Sequence, residues 1–310
     1  MKLLYMNGLI IILTSFLFSA CGGAQSGHQG AVSASKKSRC GTLRFRFAPP
    51  DGTRVLLTTV TTRVKKLEGQ REQKDLVEVR SNLEYKSSRN GYLISEKLTS
   101  SNMTRDGLLG QDPVSSLLQD MEIKYYVSGD GKIDHIEGFG AVEQKAHSTL
   151  SENLKAVLLP RLKEEHLISQ QIQDWNDRIA DFVGREVAVG QTVDVQVPFA
   201  LPNGQRVNCL MRTTFSGMED CPAGKCLRIH TRYSSYQDQS SDLASSGSKR
   251  YDTRGGPQVY GTNSRLIDPS TMLIYSDETQ RTMKMTAHIS DHGVLPMTLT
   301  ETRRHTFMYQ

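Results

Sequence analysis

TRVLLTTVTTRVKK, residues 53–66, is the stretch on which the fold turns. Eight of its fourteen residues are Thr or Val, and no Gly or Pro interrupts them. Side chains branched at Cβ are stiff at χ1 and pack well on a pleated surface, so the run reads as one β-strand. Strands usually span only about five or six residues. One this long must twist and coil, which favours a curved half-shell or barrel over a flat sheet.

The same pattern extends on both sides. Upstream, Leu43, Phe45 and Phe47 alternate with Thr42, Arg44 and Arg46 before Pro49-Pro50-Asp51-Gly52 turns the chain. Downstream, Glu68-Gly69-Gln70 turns it again and residues 75–87 alternate. Arg89-Asn90-Gly91 is a tight turn of the Asn-Gly kind, and residues 92–99 complete a meander. Asp112-Pro113 reads as a helix cap followed by proline at the first helical position. Residues 121–127 and 132–137 form a hairpin around Ser128-Gly129-Asp130-Gly131.

Two helices are expected next. Val142, Ala146, Leu150, Leu154, Val157 and Leu158 make one stripe, which Pro160 ends or kinks. Ile168, Ile172, Trp175, Ile179 and Phe182 step by four, three, four and three, an amphipathic face closed by Gly184. A second β region starts at Glu186. Val193, Val195 and Val197 alternate, Pro202-Asn203-Gly204 makes a hairpin, and strands are expected over 205–215, 226–233, 259–267, 272–276 with 282–289, and 297–309. Residues 234–258 are rich in Ser, Gly, Gln and Asp and read as a long exposed loop. The fold class is therefore α+β, mainly β: a long curved antiparallel sheet or half-barrel with two consecutive helices packed on one face. Residues 41–310 form one β-rich domain, with a first β half at 41–140, a helical segment at 141–184 and a second β half at 186–310.

The N-terminus carries an address. Lys2, an apolar run from Leu9 to Phe18 and a small-residue exit make residues 1–20 a secretory signal peptide. The stretch is short, and too rich in polar residues, for a membrane-spanning helix. Phe18-Ser19-Ala20-Cys21 resembles the lipobox of bacterial lipoproteins, with Phe18 where Leu is usual. The resemblance implies that Cys21 becomes the lipidated first residue of the mature chain. The rival is ordinary cleavage between Ala24 and Gln25. Gly22 after the cysteine resembles the pattern sent to the outer membrane. Residues 21–40, Gly/Ser-rich with a basic end, read as a tether. The expected location is the cell envelope, lipid-anchored at the outer membrane, facing the periplasm or the cell surface.

Charge and cysteines narrow the partners. Lys and Arg number 38 against 33 acids, and residues 1–20 hold one cation and no acid, so the mature chain carries +4. Without a long basic run, nucleic acid is not the expected partner. Four cysteines remain after Cys21: Cys40, Cys209, Cys221 and Cys226. An even number in an exported chain suggests disulfides. Cys221-Pro-Ala-Gly-Lys-Cys226 suits a bridge across a hairpin, which would leave Cys40 with Cys209. A zinc site would need further thiolate or His ligands close by, and His230 stands alone.

No catalytic motif appears. Aligned on a calcium-binding loop, Ser128, Asp130, Asp134 and Glu137 fall near ligand positions, but Tyr126 occupies the first and the flanks read as strands. His288 and His292 have ligand spacing without the Glu of HExxH. Neither a GxSxG elbow nor a phosphate-binding glycine loop occurs. No cofactor is expected. The strand–helix–helix–strand order resembles periplasmic lipoprotein carriers, whose helix-covered curved sheet holds acyl chains, a likeness of architecture only. The favoured reading is a non-enzymatic, membrane-anchored lipoprotein with a binding or structural role, its partners a membrane, an apolar ligand or an envelope protein. Trp175, Ile172 and Ile179 are the candidate ligand-facing residues. The alternatives are a partner-binding or adhesion module and, less favoured, an envelope hydrolase with a dispersed site.

Cys21→Ala is expected to abolish incorporation of labelled fatty acid and leave an uncut or soluble form. Unchanged detergent partitioning of that variant would rule the lipid anchor out.

Overall fold

The computed structural model describes residues 41–110, 117–202, 205–236, 256–289 and 293–310. The signal peptide, the tether with Cys21 and Cys40, the Asp112-Pro113 cap, the Asn203-Gly204 turn and most of the 234–258 loop lie outside the described residues.

The strand at Arg54–Leu67 (β2) is flanked by Gln73–Ser88 (β3) and Gly293–Tyr309 (β14). Beyond β3 come Gly91–Arg105 (β4), Glu122–Ser128 (β6) and the edge strand Ile133–Glu137 (β7), with the short Leu108–Gly110 (β5) also on β4. Beyond β14 come Ile274–Ile289 (β13), Gln258–Ile267 (β12), Gly224–Ser235 (β11), Arg206–Cys221 (β10) and the edge strand Thr192–Ala200 (β9). This is one open twelve-stranded sheet, antiparallel throughout. The two β halves join where β14 pairs with β2, from Met297 opposite Leu67 to Tyr309 opposite Val55. The last strand of the chain thus closes onto the first long one.

Two strand expectations change. The alternation at Leu43–Phe47 yields only Thr42–Arg44 (β1), which pairs outside the main sheet with Glu186–Ala188 (β8). Phe45 and Phe47 instead plug into the core. The expected break between Ser276 and Thr282 is absent. Asp277, Thr279 and Arg281 continue β13 because their polar side chains are held by neighbouring strands.

Three helices replace the expected two: Phe139–Thr149 (α1), Glu152–Leu162 (α2) and Glu164–Trp175 (α3), the last running into a π-helical turn at Asn176–Ala180. The first expected helix breaks at Leu150, which is extended. Just before it, the hydroxyls of Ser148 and Thr149 bond back to the Lys145 carbonyl, competing with helix continuation. Pro160 sits in the last turn of α2. The stripe on α3 and the turn is as expected, Ile168, Ile172, Trp175, Ile179 and Phe182 all joining the main core.

Cys221 and Cys226 are bridged across the β10–β11 hairpin, with Cα atoms 5.8 Å apart. Cys209 does not follow the expectation: it is a free, fully buried thiol. β1 begins at Thr42 opposite Ala188, beside the Phe215 end of β10. Cys209 lies six residues further along that strand, about 20 Å away. Burial pushes its thiol up to about 11.

Gly131, in the β6–β7 turn, has φ +78, and a Cβ there would lie 2.8 Å from Val183 Cγ2 and 3.2 Å from Phe47 Cβ. Its carbonyl also accepts the Trp175 indole N–H at 2.7 Å. Gly131→Ala is therefore expected to cost about 1–3 kcal/mol and to loosen the Trp175 contact, read as a lower Tm with red-shifted Trp emission. An unchanged Tm would show that this close approach is not needed.

Candidate functional site

Strand parity assigns one face of the sheet to the helices, and that inner face is divided into three zones along the strands. The first lies under α1–α3 and is apolar. Phe47 meets Trp175 edge-on at 5.6 Å, Phe45 meets Phe182 at 5.6 Å, and Phe215 closes the group at 6.2 Å from Phe45. Ile179 is buried, while Ile172 and Trp175 are half-buried against the same cluster. The three candidate ligand-facing residues thus lie together, in the packing between helix and sheet.

The second zone is a belt of buried charge. Arg105, Asp75, Arg63, Glu301 and Arg281 stand directly opposite one another across β4, β3, β2, β14 and β13, alternating in sign over five strands. Arg63 donates to Glu301 at 2.6 Å, Arg281 pairs with it at 2.7 Å and Arg303 at 3.4 Å. Burial alone would raise the Glu301 carboxyl, but Arg281, Arg63 and Arg303 outweigh it and hold it down to about 2. Further along the same face, toward the helices, His305, Asp277 and Arg265 form a parallel row across β14, β13 and β12. Burial drives the His305 ring down to about 3, so it is neutral at physiological pH.

That second row ties the helical layer to the sheet. Arg265 pairs with Asp277 at 3.1 Å and donates to the carbonyls of Arg178 at 3.1 Å and Asp177 at 3.4 Å, both on the π-helical turn. The Asp177 carboxyl is raised to about 8 by burial, then by Asp174 and Asp181, and its Oδ2 is buried without a hydrogen-bond partner. Asp177 is therefore mostly protonated at neutral pH.

The third zone lies beyond the belt, away from the helices. Val197, Phe199, Leu201, Cys209, Tyr233, Val259, Met283 and Met285 form a second apolar cluster, with Met211, Met297 and Leu299 against it. On the helix side of the belt, Val77, Val79, Leu98 and Met103 form a third cluster on β3 and β4, with Leu118 packed against it. No helix residue belongs to the second cluster.

Other sequence candidates resolve into structure. Ser128 bonds to Asp130 and Lys132 within the turn, and Glu137 accepts from Tyr126 on the neighbouring strand at 3.0 Å, so the oxygens of the calcium-loop alignment do not converge. His292 and the side chain of His288 lie outside the described residues. Glu164 accepts from the Gly140 N–H at 3.0 Å and clasps α1 to α3. A 640 Å³ pocket is lined by Arg54, Val55, Asn82, Leu83, Glu84, Ser95 and Lys97 on β2–β4, with Asp120, Glu122 and Gln310. None of Trp175, Ile172 and Ile179 lines it.

Glu301→Gln is expected to cost about 3–5 kcal/mol, because it strips three buried guanidinium groups of their shared carboxylate. Breaking the exposed Arg54–Glu84 pair should cost about 1 kcal/mol or less. Denaturant unfolding compares the two, and equal costs would contradict the belt's role. The two shifted carboxyls give opposite pH signs. Glu301, lowered in the fold, contributes stability present above about pH 4.5 and lost toward pH 2. Asp177, raised in the fold, contributes stability present below about pH 4 and lost as pH rises to about 8. Asp177→Asn should therefore gain stability over the unsubstituted protein as pH rises from 4 to 9. A constant difference across that range would refute the assignment.

No protein-family model matches the chain, and no curated protein matches it either. Among solved structures, the chain resembles one described as "Lipid-protein interactions in lipovitellin", at 11% identity and a TM-score of 0.41, over 84% of this chain and 26% of that one. It also resembles a "putative lipoprotein" from Parabacteroides distasonis, at 11% identity and a TM-score of 0.22, over 83% of this chain and 97% of that one. The chain thus spans about a quarter of the lipovitellin chain it matches, and the functional reading rests on its own side chains.

Proposed function

We propose that the protein is a non-enzymatic, lipid-anchored lipoprotein of the cell envelope that holds an apolar ligand on the inner face of its sheet. The observation that carries this reading is the second apolar cluster. It is built from strands β9–β14 together with Leu201, is rich in methionine and lies beyond the charge belt where no helix covers it. Methionine is unbranched and polarizable, and adapts to the irregular shape of a flexible acyl chain. The belt bounds this zone on the helix side, so a chain lying against Met211, Met283 and Met297 would meet guanidinium groups at its inner end. The helix stripe with Trp175 serves as core under this reading.

Lipid extraction and mass spectrometry of protein purified from its own envelope is the direct test, and co-purifying fatty acid or phospholipid is expected. Met211→Glu, at a half-buried position on the cluster, should weaken fatty-acid uptake at least tenfold while leaving Trp175 emission unchanged. Protein that carries no lipid and takes up neither fatty acid nor phospholipid would overturn the proposal and favour a partner-binding module.

A further inference from the structure

We infer that the end of the sheet opposite the helices is a membrane-contacting rim, with Leu108 and Leu109 entering an anionic lipid surface. This rests on the lipoprotein reading above. β4 and β5 are joined by the two-residue turn Asp106-Gly107, both residues in the left-handed region, φ 49 and 82. The turn is pinned rather than loose: the Lys74 N–H donates to Asp106 Oδ1 at 2.9 Å, and the Asp106 N–H donates to the Lys74 carbonyl at 2.8 Å. It presents Leu108 and Leu109 to solvent at 76% and 81% exposure, the two most exposed large apolar residues described. Val294, at the start of β14 on the same end, is 51% exposed.

The charge around these side chains is complementary to anionic headgroups. Among the described residues at this end of the sheet, Lys66, Arg71, Lys74, Arg206 and Lys284 face only Glu68, Glu72 and Asp106, and Asp106 is held by the Lys74 backbone. Arg105 is spent on buried Asp75. Apolar tips flanked by cations are the arrangement that binds an anionic bilayer surface, through apolar burial and headgroup attraction together. The anchor permits this orientation. Thr42 lies at the helix end, and the strand from Ile94 to Arg105 is about 37 Å long. The twenty-one residues from Cys21 to Gly41 can span up to about 70 Å, enough for the lipid and the rim to reach one bilayer. The uncovered apolar cluster lies on the inner face toward that same end, so a rim on the membrane would place it next to the source of its ligand.

The test uses the mature lipidated protein reconstituted in phosphatidylglycerol–phosphatidylcholine vesicles, with Leu109→Trp as reporter against the unsubstituted protein, whose only tryptophan is the core Trp175. The added Trp is expected to emit further to the blue, to be shielded from aqueous iodide and to be quenched by phospholipid brominated in its acyl chains. Lys66→Glu with Lys74→Glu should weaken that quenching severalfold, and more in anionic than in neutral vesicles. A reporter that stays fully iodide-accessible on vesicles and unquenched by brominated lipid overturns the proposal. So does a blue shift that appears without lipid and grows with protein concentration, which would mark a contact between copies. Labelled fatty acid on Cys21 is read in the same preparation, so an anchored protein with an iodide-accessible rim sinks this inference alone.

Discussion

One row of alternating charge constrains the rest of the molecule. Arg105, Asp75, Arg63, Glu301 and Arg281 are consecutive cross-strand neighbours, and the Arg63–Glu301 contact lies on the seam where the last strand meets the first long one. A one-residue slip at that seam would turn every inner side chain of a strand outward. A two-residue slip would set Arg303 against Arg63, two buried cations face to face, or leave Arg63 opposite Leu299. Buried ion pairs seldom add net stability over a well-packed apolar core, and fixing register is among their best attested roles. The ladder fits that role at the one seam that must unite two distant halves of the chain.

From that seam the inner face follows. On the helix side of the belt, aromatic and aliphatic residues from both β halves pack under α1–α3. The Asp277–Arg265 row reaches up to hold the π-helical turn. On the other side, the same strands continue with Met283, Met285, Met297 and Leu299, without helical cover. Helix cover thus stops at the belt, and the apolar surface beyond is left to the strands.

The architecture was legible because long β-branched runs and the step pattern Ile168-Ile172-Trp175-Ile179-Phe182 report local geometry that tertiary packing did not override. The Cys221–Cys226 bridge was legible because only four residues separate the thiols, two of them the Pro222-Ala223 turn of the hairpin. The charge belt was not read from the sequence, although a signal for it exists. In β14, Glu301, Arg303 and His305 share parity with Met297, Leu299 and Phe307, so charges fall on what the flanking residues mark as the buried face. Pairing of distant strands decides their partners, and no single strand carries that information. The same gap explains Cys209, where counting cysteines suggested a bridge, while the strand places the thiol far from the start of the domain.

Under the proposed function, the apolar ligand lies on the inner face beyond the belt, away from the helices. Residue-resolved hydrogen exchange of the delipidated protein, before and after adding phospholipid, tests this most directly. Protection should rise in β9–β12 and in the Met283–Met285 and Met297–Leu299 segments, with α3 unchanged. Protection gained in α3 around Trp175, with none in those strands, would contradict it.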